Sequence, residues 1–198
     1  MFLYVRDVKS AAEAADAIEK GAAALAVSLS SRRNMEAEET RTWLEELPMQ
    51  VMKIGEFGNE PYYDIEEMAT FCHLDVLLLR DLRTIKDFSH YTGRVMVEIT
   101  EWELQDMKRF EPAQYEQLLE TADGLRLRLT DYTNLDNGSF WQYLRAFPKP
   151  LFLAMDLEGG SIADVLELLR NKKVPQLAAL FVDYEDLDGG RRRRKEEA

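Results

Sequence analysis

The chain has 198 residues, and its 25 Lys+Arg against 37 Asp+Glu leave a formal charge of −12, with a pI near 4.7. A hydrophobic share of 46% supports a buried core, and the acidic balance excludes a general nucleic-acid binder, which needs a basic face. The single cysteine, Cys72, excludes an intrachain disulfide and a cysteine-based zinc site.

Short apolar runs of strand length recur along the chain, with helical patterns between them. The first strand is expected over Phe2–Arg6 and is followed by an Ala-rich helix, Ser10–Lys20. Ser10 is a candidate N-cap, and Gly21 a glycine just past the helix end. Ala23–Leu29 reads as the second strand, Glu36–Leu47 as a helix stopped by Pro48, and Gln50–Phe57 as the third strand. Tyr63–Cys72 forms a helix after an Asn-Glu-Pro turn, and Leu74–Leu79 and Arg94–Ile99 are the fourth and fifth strands. Thr100–Thr121 holds one long helix or two short ones broken near Pro112. Gly124–Thr130, Phe140–Ala146, Pro150–Met155, Ser161–Lys172 and Leu177–Asp183 continue the alternation.

Eight strands alternating with helices imply parallel βαβ units, and eight such units close naturally into a barrel. The expectation is a single α/β (β/α)8, or TIM, barrel over residues 1–190, with short loops and a reduced last helix. Residues 191–198 form a tail, Arg191 to Lys195 followed by two acids, which is either a solvated terminus or a basic stripe for an anionic surface. No apolar run approaches the roughly 20 residues of a membrane span. No basic segment leading into a long apolar stretch marks a signal peptide. A cytoplasmic protein without membrane or nucleic-acid partners is the expectation, as a monomer or weak dimer.

Several blocks of the first half resemble phosphoribosylanthranilate isomerase, the small barrel enzyme of tryptophan biosynthesis. They are Glu19-Lys-Gly-Ala-Ala-Ala-Leu-Ala-Val, Ser31-Arg-Arg with Glu39-Thr-Arg and Leu47-Pro, Ile54-Gly-Glu-Phe-Gly-Asn-Glu, and Leu74-Asp-Val-Leu-Leu-Leu-Arg. Spacing between the blocks is kept through about position 82, and beyond it the order of elements fits while the residues match weakly. The resemblance implies an Amadori rearrangement of an aminoribose phosphate, an intramolecular oxidoreductase reaction that needs no cofactor and no metal. In the family a strand-one Cys is the general base, a strand-six Asp the general acid, and an Arg holds the anthranilate carboxylate. Carried over residue by residue, the base position is Arg6, the acid is Asp131, and the carboxylate-binding residue is Arg33. The family's Gln and His of strand four become Leu78 and Arg80. Its phosphate-binding Gly-Gly corresponds to Gly159-Gly160 before Ser161, which serves as an anion cradle or simply as a helix start.

Arginine stays protonated at any working pH, so Arg6 cannot take a proton. The residues therefore predict a barrel that keeps the scaffold and replaces most of the chemistry: a small-ligand-binding or regulatory pseudoenzyme. The alternatives are an active isomerase or a repurposed barrel enzyme on a small carboxylate. The strand ends admit three arrangements. Arg6 and Arg80 pair with Glu98, Asp156 and Asp183 in a plug; or Arg6, Arg33 and Arg80 bind a small anionic or carboxylate ligand; or Glu98, Asp156 and Asp183 hold a divalent metal. The alternating run Leu125-Arg-Leu-Arg-Leu places Arg126 and Arg128 on one face, either inside the barrel or on its outer surface. Cys72 beside His73 is a buried thiol or a nucleophile with its base.

Overall fold

The structure, a computed structural model, describes residues 1–29, 34–129, 137–155 and 161–187, apart from the side chains of 34–36, 83 and 84. Eight parallel strands close into a barrel in chain order, β1 to β8. They are β1 (Phe2–Arg6), β2 (Ala22–Ser28), β3 (Met52–Phe57), β4 (Val76–Leu79), β5 (Arg94–Thr100), β6 (Gly124–Arg128), β7 (Leu151–Ala154) and β8 (Leu177–Asp183). Pairing of β1 with β8, in register from Phe2↔Ala179 to Arg6↔Asp183, closes the ring. The helices are α1 (Ala11–Glu19), α2 (Asn34–Glu45), α3 (Tyr62–Phe71), α4 (Glu101–Phe110), α5 (Pro112–Thr121), α6 (Gly138–Arg145) and α7 (Ile162–Lys172). None among the described residues is long and apolar enough to cross a membrane.

Local chemistry sets the helix ends. Ser10 caps α1 by accepting from the Glu13 N–H at 3.2 Å, and Gly21 beyond it sits at φ +95°, which a residue with a Cβ rarely adopts. Thr100 and Glu103 form a reciprocal capping box at the start of α4. The stretch Thr100–Thr121 is two helices, because Pro112 lacks the N–H that would continue α4 and instead opens α5. The connection from β4 to β5 is only a 3-10 run, Leu82–Phe88, whose Ile85 and Phe88 are buried. After β8 the described residues hold a 3-10 turn, Tyr184–Asp186, anchored where the Tyr184 hydroxyl donates to Asp16 of α1 at 3.0 Å.

The strands divide two cores between them. Leu25, Val27, Leu77, Leu79, Val97, Leu125, Leu127, Leu153 and Val182 face outward into the layer beneath the helices. Tyr4, Ala24, Ala26, Ile54, Val76, Leu78, Met96, Ala154, Ala179 and Phe181 fill the barrel interior. The bulky Tyr4 and Phe181, with Phe152 beside them, pack against the alanines of β2, β7 and β8. Gly124 makes room at the lower end: a Cβ there would stand 2.8 Å from Phe152 and 3.2 Å from the Pro150 carbonyl oxygen.

Candidate functional site

Side chains on a strand alternate in direction, so each interior row can be followed upward two residues at a time. From Tyr4 the next interior position is Arg6, from Ile54 it is Glu56, and from Met96 it is Glu98. From Gly124 it is Arg126, with Arg128 above it, and from Phe181 it is Asp183. The apolar filling of the barrel therefore gives way to charge at the C-terminal ends of the strands, where barrels of this architecture place their chemistry.

These charges form a chain. Asp183 Oδ1 lies 3.2 Å from Arg6 Nε, and Arg6 Nε lies 3.5 Å from Glu56 Oε1. Arg126 donates from Nη1 to Glu56 Oε1 and from Nη2 to Glu98 Oε2. Glu98 Oε1 in turn lies 3.6 Å from Arg80 Nε. The order Asp183–Arg6–Glu56–Arg126–Glu98–Arg80 alternates in sign and crosses the barrel from β8 to β4.

Arg126 is its centre. It has no solvent exposure, and its guanidinium also sits 5.1 Å from the centroid of the Phe181 ring. A buried guanidinium is tolerable only when carboxylates meet it, and Glu56 and Glu98 supply two. Its Nε finds no acceptor. The contacts of Arg6 Nε are likewise charge contacts, since that atom meets no acceptor in hydrogen-bonding geometry.

The titration behaviour follows from this geometry. Burial pushes the Glu98 carboxyl up, but the guanidinium of Arg126, followed by those of Arg80 and Arg128, outweighs it and holds the group below the usual carboxylate range. Burial opposes the charge of Arg6, yet Glu56, Asp183, Glu98 and Asp7 more than offset it and hold Arg6 above the usual arginine value. Arg6 is therefore a fixed cation.

Of the site residues expected from sequence, Arg6 and Arg80 reach the mouth, Arg80 ending the chain of charges and Arg6 standing next to its other end, Asp183. Arg126 and Arg128 face the interior, and their leucine neighbours face the helices. Ser161 caps α7, its hydroxyl accepting from the Ala163 N–H at 3.2 Å. Arg33, Asp131, Asp156, Gly159 and Gly160 lie outside the described residues, as does the tail from Arg191. No group of three His, Cys, Asp or Glu side chains among the described residues is placed to hold a metal ion. Cys72 is fully buried, with its Sγ 3.8 Å from Met68 Sδ, and burial pushes its thiol up. His73 faces Glu45 at 3.6 Å.

Glu56 and the role of Arg126 were missed in the sequence. The signal was present: stepping by two from Met52 through Ile54 puts Glu56 inside, and the two arginines of β6 need carboxylates opposite them.

A (β/α)8 barrel whose mouth is spanned by an arginine–carboxylate chain is thus the class of protein the fold and site define. Solved structures place it among phosphoribosylanthranilate isomerases in shape. The enzyme from Thermotoga maritima matches with a TM-score of 0.69 at 18% identity, covering 96% of this chain and 94% of that one. A phosphoribosylanthranilate isomerase in complex with reduced 1-(o-carboxyphenylamino)-1-deoxyribulose 5-phosphate gives 0.69 at 19% identity over 92% of this chain and 87% of that one. The carboxyl transferase domain of pyruvate carboxylase from Rhizobium etli reaches 0.65 at 10% identity, covering 94% of this chain and 41% of that one. The fold is therefore shared with enzymes of different chemistry, and shape alone selects no reaction. No family model and no curated protein matches the sequence.

Proposed function

We propose that this chain is a divergent relative of phosphoribosylanthranilate isomerase that no longer catalyses the Amadori rearrangement and instead binds a small anionic ligand at the barrel mouth. The observation that carries the reading is Arg6. It stands where the family resemblance puts the general base, and Asp183 and Glu56 flank it at 3.2 and 3.5 Å. A guanidinium so held cannot accept a proton from a substrate carbon.

The rest of the mouth supports the same reading. The family's strand-four Gln corresponds to Leu78, an apolar residue buried in the barrel filling. The Glu98 carboxylate, held down by three arginines, is a poor general acid near neutrality. Binding a small anion needs only fixed cations at an open mouth; Arg80 reaches it, and the resemblance adds Arg33 as the residue matched to the family's carboxylate-binding arginine.

Complementation tests the proposal. A bacterial host lacking its own phosphoribosylanthranilate isomerase and expressing this protein is expected to stay dependent on added tryptophan. Growth without tryptophan that disappears with Asp131→Asn would establish an active isomerase and overturn the reading.

A further inference from the structure

Between β4, β5 and β6 the mouth opens into a cavity of about 290 Å³, lined by Arg80, Asp81, Leu82, Glu98, Thr100, Glu103 and Arg128, with Ile99 behind them. It includes Arg80, the strand-four position already matched to the family, and adds Arg128 of β6, which the resemblance assigns no role. We propose that this cavity is a carboxylate-binding subsite in which Arg128 and Arg80 together hold the anion. The proposal rests on the ligand-binding reading above and deepens it by naming the ligand class and by adding Arg128 to Arg80 as the anchoring pair.

Most charges around the cavity are already committed. Glu98 is bound by Arg126 and approached by Arg80. Glu103 is occupied in the capping box, where its Oε2 accepts from the Thr100 N–H at 2.9 Å and from the Thr100 hydroxyl at 2.7 Å. Asp81 has a partner of its own. Arg80 spends its Nε on Glu98 at 3.6 Å, which leaves the two terminal nitrogens outside that contact.

Arg128 differs from all of these. It ends the interior row of β6 one step above the buried Arg126, it is exposed at the mouth, and it makes no ion pair with any described residue. Arg126 already pairs with both interior carboxylates, Glu56 and Glu98, and the second arginine of the row acts on Glu98 only from beyond ion-pair distance. An interior-facing cation with no ion-pair partner among the described residues, set in the wall of a cavity, is matched by a ligand anion.

The class of anion follows from the walls. A guanidinium pair suits the planar, singly charged carboxylate, which accepts hydrogen bonds from both. A phosphate dianion would meet twice the repulsion from Asp81, Glu98 and Glu103 at the same distances. The cavity volume limits the ligand to a small molecule.

Titration calorimetry on the full chain tests this, with benzoate, its neutral isostere benzamide and inorganic phosphate as probes. Benzoate is expected to bind saturably, benzamide not at all, and phosphate more weakly than benzoate. Arg128→Gln is expected to weaken benzoate about tenfold or more, the loss of one charge-assisted contact, and Arg80→Gln similarly. Arg94→Gln, at the opposite end of β5, is expected to change nothing. Both mouth variants are exposed, and an unchanged thermal midpoint verifies their folding. Absence of saturable benzoate binding, binding indifferent to Arg128→Gln, or phosphate binding tighter than benzoate would overturn the proposal. Such a result with no isomerase turnover would leave the broader reading standing, whereas turnover would defeat that reading whatever benzoate does.

Discussion

Arg6 on β1 and Asp183 on β8 are direct register partners, and their charged atoms stand 3.2 Å apart across the seam that closes the barrel. The contact begins a chain of alternating charges that ends at Arg80 on β4. It ties the first and last strands together with the side chain that the family resemblance aligns with the general base.

The centre of that chain sets a clear stability prediction. Arg126→Leu would leave Glu56 and Glu98 buried with their main counter-charge gone, and should cost about 3–5 kcal/mol in urea unfolding. Replacing all three by apolar residues, as Glu56→Leu, Arg126→Met and Glu98→Leu, should recover most of that loss, because no buried charge remains to be compensated. Arg6 keeps Asp183 in this variant, and Arg80 is solvent-exposed. A triple variant as unstable as Arg126→Leu alone would show that the chain is held by something other than charge pairing.

Acid should unfold the protein partly through Glu98. Its carboxyl lies below its ordinary value in the folded state, so between the two values the unfolded chain binds more protons. The stabilisation from this group is therefore complete above about pH 4.3, the ordinary glutamate value. It is lost as pH falls through the lowered folded value. Unfolding free energies measured from pH 7 to pH 3 should fall less steeply in Glu98→Gln than in the parent, although the variant starts lower at neutral pH.

Cys72 should be inert in the native protein. The thiol is fully buried and burial holds it protonated, so a thiol reagent at pH 7.5 should modify it only at the rate of unfolding. Rapid modification of the folded chain would contradict the packing of the Cys72 sulfur between Ala37 of α2 and Met68 of α3.

Much of this was legible in the sequence and some was not, for physical reasons. The barrel could be read because each of its eight strands is a compact apolar run and each helix carries its own stop, such as Gly21 after α1 or Pro112 between α4 and α5. The boundaries of β4 and β6 came out shorter than the apolar runs, since an apolar residue at a strand end can pack without joining the ladder. The charge chain was only half visible. Arg6, Arg80, Glu98 and Asp183 announce themselves at strand ends, but Glu56 sits within the run read as the third strand, Gln50–Phe57, where only stepping by two along the strand shows that it faces inward. The direction of Arg126 depends on a register that no local signal fixes.

Gly124 offers a check on the interior packing. Gly124→Ala would bring a Cβ to 2.8 Å from Phe152 and 3.2 Å from a backbone carbonyl, and the backbone cannot yield as a side chain does. Overpacking of about 1–3 kcal/mol is expected in thermal or urea unfolding, with the mouth and its benzoate affinity unaffected.

On the proposed reading, the scaffold persists without the Amadori chemistry. The most direct measurement generates phosphoribosylanthranilate in situ and follows the loss of its fluorescence with purified, folded protein. The account predicts a rate equal to that in buffer, for the parent and for Asp131→Asn alike. A protein-dependent rate that Asp131→Asn abolishes would contradict it, and would mean that a base other than the residue at position 6 takes the proton.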